Sequence, residues 1–303
     1  MLDKEINEIK NMLGAIIVAH NYQLPEVQKV ADFVGDSLEL ARKVVDIDAG
    51  YIVLAGVDFM AETAAILNPS KTVLIPSKIA TCEMAQYLDV ETMRKYNRLH
   101  PKAKTVLYVN STAECKALAD IVCTSANAIK VVESINAEEI LFGPDANLAN
   151  YVARNTNKKV IPLPTKGHCY VHTNFDSKRI LKLKKMYGGI IMAHPECVEE
   201  VQKIADVVTS TGGMVKYVAK SEAKKFIVAT ECDMSYRLKT LYPDREFIPA
   251  NDKAICLGMK QITAQSILES LKYKRYEVHV KEKVAEKARR AIERMLELDD
   301  DHV

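Results

Sequence analysis

The sequence predicts an α/β protein made of three pseudo-symmetric, three-layer α/β/α units, each with a short parallel sheet, arranged around a central site. Three observations carry this expectation. Cys82, Cys169 and Cys256 are separated by 87 and 87 residues, and nine residues ahead of each thiol begins a short apolar run with a proline (Val73 to Pro76, Val160 to Pro162, Phe247 to Pro249). The stretches EVQKVADFV, ECKALADIV and EVQKIADVV, anchored on Asp32, Asp120 and Asp206, share glutamate and Ala-Asp, and the first and third agree at seven positions. Apolar runs alternate with helical patterns through every copy, which implies parallel strands covered on both faces.

Within the first unit, residues 3 to 13 read as a short helix, and GAIIVAH as a buried strand that leaves His20 and Tyr22 on its exit loop. Pro25 opens a helix with Val27, Val30 and Ala31 as its apolar stripe, and Asp32 to Gly35 is a brief second strand. Ser37 stands where a helix cap belongs, ahead of LELARKVV. YIVLAGV is the third strand, a helix starts near Phe59 and Met60, and TVLIP is the fourth strand before Cys82. The second unit repeats the order from TVLYVN through a helix around Cys115, Ser125 with its helix, ILFGPD and VIPLP to Cys169. The third runs from GGIIMAH through Thr211, FIVATE and FIP to Cys256. From Met259 onward the pattern reads as a helix, a YEVHV strand and an amphipathic helix with Val284, Ala288, Ala291, Ile292 and Met295 on one face. The expected units are 1–84, 85–170 and 171–271, with the tail 272–303 packing back on the first.

Composition sets further bounds. With 303 residues, 48% apolar and 27% charged, the chain has material for packed cores and no sign of disorder. A net charge of +2 gives no electrostatic footprint for nucleic acid or an anionic membrane. The N-terminal MLDKEINEIK lacks the apolar core of a signal peptide, and no apolar stretch approaches the roughly 18 residues a membrane helix needs. The expectation is a soluble, cytoplasmic protein. Seven cysteines there stay reduced, and without any C-x-x-C they exclude zinc ribbons and thioredoxin-like motifs.

The repeat also singles out polar groups. Twelve residues before the anchor aspartates stand His20, Tyr108 and His194; ten before stand Tyr22, Asn110 and Glu196; five after stand Ser37, Ser125 and Thr211. In parallel sheets, function gathers outside the carboxyl ends of the strands, where all of these fall. Residues two apart on a strand share a face, so Tyr22 and Glu196 are candidate acid–base groups and the histidines candidate anion donors. Ser37, Ser125 and Thr211 read as helix caps whose helix N-termini can hold carboxylate or phosphate. Asp32, Asp120 and Asp206 read as structural, and so do Cys115, Cys123, Cys197 and Cys232, which do not recur. Three thiolates from three units can hold zinc or an iron–sulfur cluster, and isolated thiolates suit a cubane better. A [4Fe–4S] cluster normally takes four cysteines, so three leave one iron open as a Lewis acid. His172, three residues past Cys169, reads equally as a group near that centre and as a supporting or merely structural histidine.

AHNYQ, the VGDS element, YVNST with CTSAN, GHCYVH, AHPEC with STGGM, and Cys256-x-x-Met259 resemble the quinolinate synthase (NadA) family over nearly the whole chain. The resemblance implies three domains around a [4Fe–4S] cluster held by Cys82, Cys169 and Cys256. It implies condensation of iminoaspartate (iminosuccinate) with dihydroxyacetone phosphate to quinolinate, with loss of phosphate and water, in NAD biosynthesis. Substrate contacts would come from His20, Ser37, Tyr108, Asn110, Ser125, His172, His194, Glu196 and Thr211, with Tyr22, Glu196 and His194 catalytic. Partners would be these two substrates and a transient contact with the enzyme that makes iminoaspartate, with neither nucleic acid nor membrane. Some members carry a C-x-x-C near the cluster as a redox switch; here Met259 holds the second position, and Gly258 stands where many members have asparagine. Readings from other classes are an aconitase-like hydro-lyase and a non-enzymatic iron–sulfur redox sensor.

Overall fold

Each repeat builds one four-stranded, all-parallel sheet, and the three sheets share a single strand order. The computed structural model describes residues 2–300, with side chains described through Leu298. The first sheet holds β1 (Ala15–His20), β2 (Phe33–Gly35), β3 (Tyr51–Ala55) and β4 (Thr72–Leu74) in the order β2-β1-β3-β4. The second holds β5 (Lys104–Tyr108), β6 (Ile121–Cys123), β7 (Glu139–Gly143) and β8 (Lys159–Pro162) in the order β6-β5-β7-β8. The third holds β9 (Ile190–Ala193), β10 (Val207–Val208), β11 (Lys225–Ala229) and β12 (Glu246–Pro249) in the order β10-β9-β11-β12. The pairing is parallel throughout because a helix returns the chain after nearly every strand, as the alternating pattern predicts. Ile17, Val18, Ile52 and Val53 on adjacent positions of the central strands are all fully buried, so both faces of the sheet are covered.

The three anchor aspartates lock each sheet at the end away from the cysteines. Carboxylates of Asp32, Asp120 and Asp206 accept the main-chain N–H of Ile17, Thr105 and Ile191 at 2.8, 2.8 and 2.7 Å. Each also pairs with a lysine, Lys10, Lys104 or Lys184. Their recurrence therefore records strand pairing, in agreement with the structural reading.

Beyond the third sheet, the helix Ala264–Tyr273 is closed at its start by reciprocal bonds between Thr263 and Ser266, and buries Ile267, Leu268 and Leu271. It packs on the first helix, Leu2–Leu13. YEVHV does not form the expected strand. Its main chain meets β4 and the residue after it only through Tyr276 with Ile75 and Val278 with Val73, because β4 is three residues long and Pro76 follows. The last helix, Glu282–Asp300, buries Ala288, Ala291, Ile292 and Met295, as its apolar face predicts. It lies on helix Asp58–Leu67 of the first repeat and on helix Ala113–Lys116 and β6 of the second. No helix among the described residues is long and apolar enough to cross a membrane.

Candidate active site

The carboxyl ends of the three sheets surround one cavity with about 670 Å³ of empty space, counted out to its mouth. Cys82, Cys169 and Cys256 line it, one from each repeat. The nine polar positions at the repeat's three offsets line it as well, from His20 to Thr211, and so does His172. Sequence spacing and spatial convergence coincide because each sheet ends its central strand at the same wall.

That central strand delivers the first polar group, and a tight turn delivers the second. His20 and Tyr108 end β1 and β5, and His194 directly follows β9. Tyr22, Asn110 and Glu196 lie beyond the strands, so a shared strand face does not place them. Instead Nδ1 of His20 accepts the N–H of Tyr22 at 3.1 Å, and Nδ1 of His194 that of Glu196 at 3.3 Å. The accepting role of Nδ1 puts the proton of each ring on Nε2. Burial, opposed by the Glu196 charge, holds both histidines down at about 3, so both are neutral donors at physiological pH. Nε2 of His194 donates to Ser125 Oγ at 3.1 Å.

Five side chains then form a continuous run of polar contacts, in which the His172–Glu196 link is a close ion-pair contact and the other links are hydrogen bonds. Tyr22 Oη meets Thr230 Oγ1 at 2.5 Å, and Thr230 Oγ1 meets His172 Nε2 at 2.8 Å. His172 Nδ1 lies 2.7 Å from Glu196 Oε2, and Tyr108 Oη donates to Glu196 Oε1 at 2.5 Å. With the His172 proton assigned to Nδ1, every link has one donor and one acceptor. The ring of His172 stacks on His194 at 4.6 Å between centroids. Burial alone would raise the Glu196 carboxyl, but His172 and His194, with the bonds from His172 and Tyr108, hold it below the usual value. Burial, reinforced by the Glu196 charge, keeps Tyr22 and Tyr108 far above the usual tyrosine value, so both stay phenols.

The helix starts on this wall differ from the expectation. The cap of helix Ser37–Val45 is Asp36, which accepts from Leu38 and Glu39, and the cap of Thr211–Lys220 is Ser210. Helix Ala128–Ser134 begins after Asn127, so Ser125 caps nothing. An acidic or hydroxyl side chain one residue earlier satisfies the first-turn N–H groups, which leaves Ser37 and Thr211 in the first turn, on the cavity wall. Asp36 also accepts from Ser210 Oγ at 3.0 Å and Gly212 N at 3.2 Å, joining two of these helix starts. Gly212 leaves room for that contact, since a Cβ there would sit 2.5 Å from Asp36 Oδ2.

All seven cysteines are free thiols. Burial raises those of Cys82, Cys169 and Cys256, and each of the first two also feels Cys256. Cys115, Cys123, Cys197 and Cys232 are not on the cavity wall, and Cys115 and Cys197 donate to the carbonyls of Leu88 and Ala229. Gly258 is required by its surroundings: a Cβ would stand 2.1 Å from the Thr81 carbonyl oxygen. Sequence reasoning missed Thr230, Asp36, Glu231 and the apolar wall of Val57, Phe59, Met84 and Val171. Thr230 has no matching residue type in the other copies, whereas Glu231 carried a signal in the acidic residues Asp58 and Asp145 at the same strand exits.

The sequence matches known proteins along almost its whole length. The family model described as Quinolinate synthetase A protein (NadA) matches residues 4–297. Quinolinate synthase of Pyrococcus abyssi (strain GE5 / Orsay) is 57% identical over 296 residues, 97% of this chain and 98% of the relative. That of Thermococcus onnurineus (strain NA1) is 56% identical over 298 residues, 98% of each chain. That of Thermotoga maritima is 48% identical over 295 residues, 97% of this chain and 98% of the relative. With a family match over almost its full length and relatives more than half identical end to end, the chain belongs to the quinolinate synthase family of enzymes.

Proposed function

We propose that this chain condenses iminoaspartate (iminosuccinate) with dihydroxyacetone phosphate to quinolinate, with loss of phosphate and water, in cytoplasmic NAD biosynthesis. We assign the repeats to domains 1–84, 85–170 and 171–271, with the tail 272–303 as an addition. Three soft thiols on one wall, with no fourth thiol beside them, fit a [4Fe–4S] cluster held by Cys82, Cys169 and Cys256. When bound, such a cluster supplies an open iron as Lewis acid to a substrate oxygen or nitrogen.

The chain's own residues bind the anions and move the protons. Both substrates carry anionic groups, and the neutral Nε2–H donors of His20 and His194, with Ser37, Ser125 and Thr211, hold carboxylate and phosphate. Asn110 on the cavity wall has a buried Oδ1 without a hydrogen-bond partner, an acceptor for a substrate N–H or O–H. Condensation and dehydration each need a proton removed from carbon or nitrogen and one delivered to a leaving oxygen. Glu196, an ionised carboxylate, takes the proton; Tyr22, a phenol, delivers it. Thr230 and His172 stand between the two and tie the base to the acid. Because water hydrolyses free imines, a transient contact with the enzyme that makes iminoaspartate serves this reaction.

The observation that carries the reading is the run of polar contacts from Tyr22 to Tyr108, set beside Cys169 in the cavity the three cysteines share. The test is anaerobic reconstitution with iron and sulfide, then incubation with both substrates and assay for quinolinate. No product from a preparation with an intact cluster would sink the reading.

A further inference from the structure

Behind the three cysteines stands a second triplet, in which Asp58 and Asp145 keep the 87-residue period and Glu231 lies one residue short of it. The main-chain N–H of Cys82 donates to Asp58 Oδ1 at 3.2 Å, that of Cys169 to Asp145 Oδ2 at 3.1 Å, and that of Cys256 to Glu231 Oε1 at 3.3 Å. The carboxylates precede their cysteines by 24, 24 and 25 residues, at the exits of β3, β7 and β11. A reciprocal main-chain bond closes each loop: Asp58, Ala146 and Cys232 donate to Ala80, Gly167 and Ala254, at 2.8, 2.8 and 2.9 Å. Each accepting carbonyl lies two residues before a cysteine.

Helix capping accounts for only part of this. Asp145 uses Oδ1 for Leu148 N and turns Oδ2 to Cys169; Glu231 uses Oε2 for Asp233 N and turns Oε1 to Cys256. A second oxygen is thus committed to the cysteine in both, and both residues are fully buried. Asp58 serves Phe59 N and Cys82 N with one oxygen. The third loop is further tied to the proton chain, because Lys260 bridges Glu231 at 2.8 Å, Asp233 at 2.6 Å and the Tyr22 carbonyl at 2.5 Å. Asp145 has no paired lysine or arginine among the described residues.

We propose that Asp58, Asp145 and Glu231 are positioning residues for the three cysteine loops, and that they disfavour reduction of a cluster held there. The N–H of a ligating cysteine is a natural donor to cluster sulfur, and such bonds raise the reduction potential. A side chain that takes the N–H removes that donor from the cluster, which disfavours an extra electron. The arrangement suits a centre that works as a Lewis acid. The positioning half stands on the apoprotein geometry; the redox half rests on the cluster reading above.

The experiment compares the parent with Asp145→Asn, Asp145→Ala and Glu231→Gln. In cluster-free protein, amide exchange is followed over the segments that carry Cys82, Cys169 and Cys256. In anaerobically reconstituted protein, the reduction potential and the rate of iron loss to a chelator are measured. Loss of one hydrogen bond corresponds to about a tenfold effect. Asp145→Ala should therefore speed exchange around Cys169 and iron loss about tenfold, without change around Cys82. Asp145→Ala should also shift the potential to more positive values by freeing the Cys169 N–H, whereas Asp145→Asn keeps an acceptor oxygen and should restore all three. Unchanged exchange in Asp145→Ala overturns the positioning role, and an unchanged potential in Asp145→Ala overturns the redox role. If Asp145→Ala fails to fold, exchange around Cys256 in Glu231→Gln, normal where the amide accepts and faster where it does not, is compared with Glu231→Ala to decide the positioning role. A parent that takes up no iron and sulfide defeats the cluster reading, while the exchange data still decide the positioning role.

Discussion

Glu196 Oε2 lies 2.7 Å from His172 Nδ1, with both side chains almost wholly buried. One follows the central strand of the third repeat, and the other follows Cys169 by three residues. Their meeting joins the expected base to the second cysteine's loop, and through Thr230 to Tyr22. A carboxylate in that position is held ionised by its partners, and a phenol at the far end is held protonated by burial.

Glu196→Gln and Tyr22→Phe should therefore lower kcat by about 10²–10⁴ while substrate still shifts the cluster spectrum. Ser37→Ala and Ser125→Ala should act mainly on KM, since a hydrogen bond to a charged group contributes about 1.5–3 kcal/mol. Steady-state kinetics and spectral titration on the same anaerobic samples separate the two classes. A Glu196→Gln enzyme at the parent's rate, beside a dead Ser125→Ala enzyme that still binds substrate, would reverse these roles.

Thr230 is the only link between Tyr22 and His172 among the hydrogen bonds described. Thr230→Val removes its hydroxyl at nearly constant volume and should reduce kcat about tenfold with KM little changed, the size of one lost hydrogen bond. Thr230→Ser keeps the hydroxyl and should recover most of the rate. Equal rates for the two variants would show that protons reach Tyr22 by another route.

Alanine at Cys82, Cys169 or Cys256 should abolish the brown colour together with activity. Alanine at Cys115 or Cys123, both fully buried away from the cavity, should keep the colour and cost stability of about 1 kcal/mol. Iron and sulfide content per chain is the measurement. A full complement in any variant of the first group would remove that cysteine from the ligand set.

Lys116 is fully buried under Phe59, donating to the Ser111 carbonyl at 2.7 Å. Burial, partly offset by Glu62 and Asp58, brings its amine down from 10.5 to about 8. Below pH 8 both folded and unfolded chains hold the proton, and the cost of the buried charge is full. Between pH 8 and 10.5 the folded chain has released it while the unfolded chain has not, so stability rises with pH. Relative to Lys116→Met, the parent should gain up to about 3 kcal/mol across that window. Urea unfolding of cluster-free protein at several pH values reads the difference, and a flat or falling difference would contradict it.

Much of the fold was legible because each repeat writes the same local chemistry. Apolar runs such as GAIIVAH and GGIIMAH mark buried strands wherever they occur, and a polar residue at the strand end survives in each copy at the same offset. The sequence by itself therefore determined three parallel sheets, the three cysteines and the polar positions that line one cavity, since period and residue type are properties of the chain read locally. Tertiary structure alone decided which of these groups touch. Tyr22 meets Thr230 across 208 residues, a pair that shares no register in the repeat, and Ser210 meets Asp36 across 174, two equivalent positions of different residue type. The caps fell to Asp36 and Ser210, because local competition for first-turn N–H groups turns on one residue's difference that periodicity does not resolve. Asp58, Asp145 and Glu231 escaped notice for a related reason: their role is defined by main-chain N–H groups 24 or 25 residues away, brought within reach only when each sheet closes on its cysteine loop.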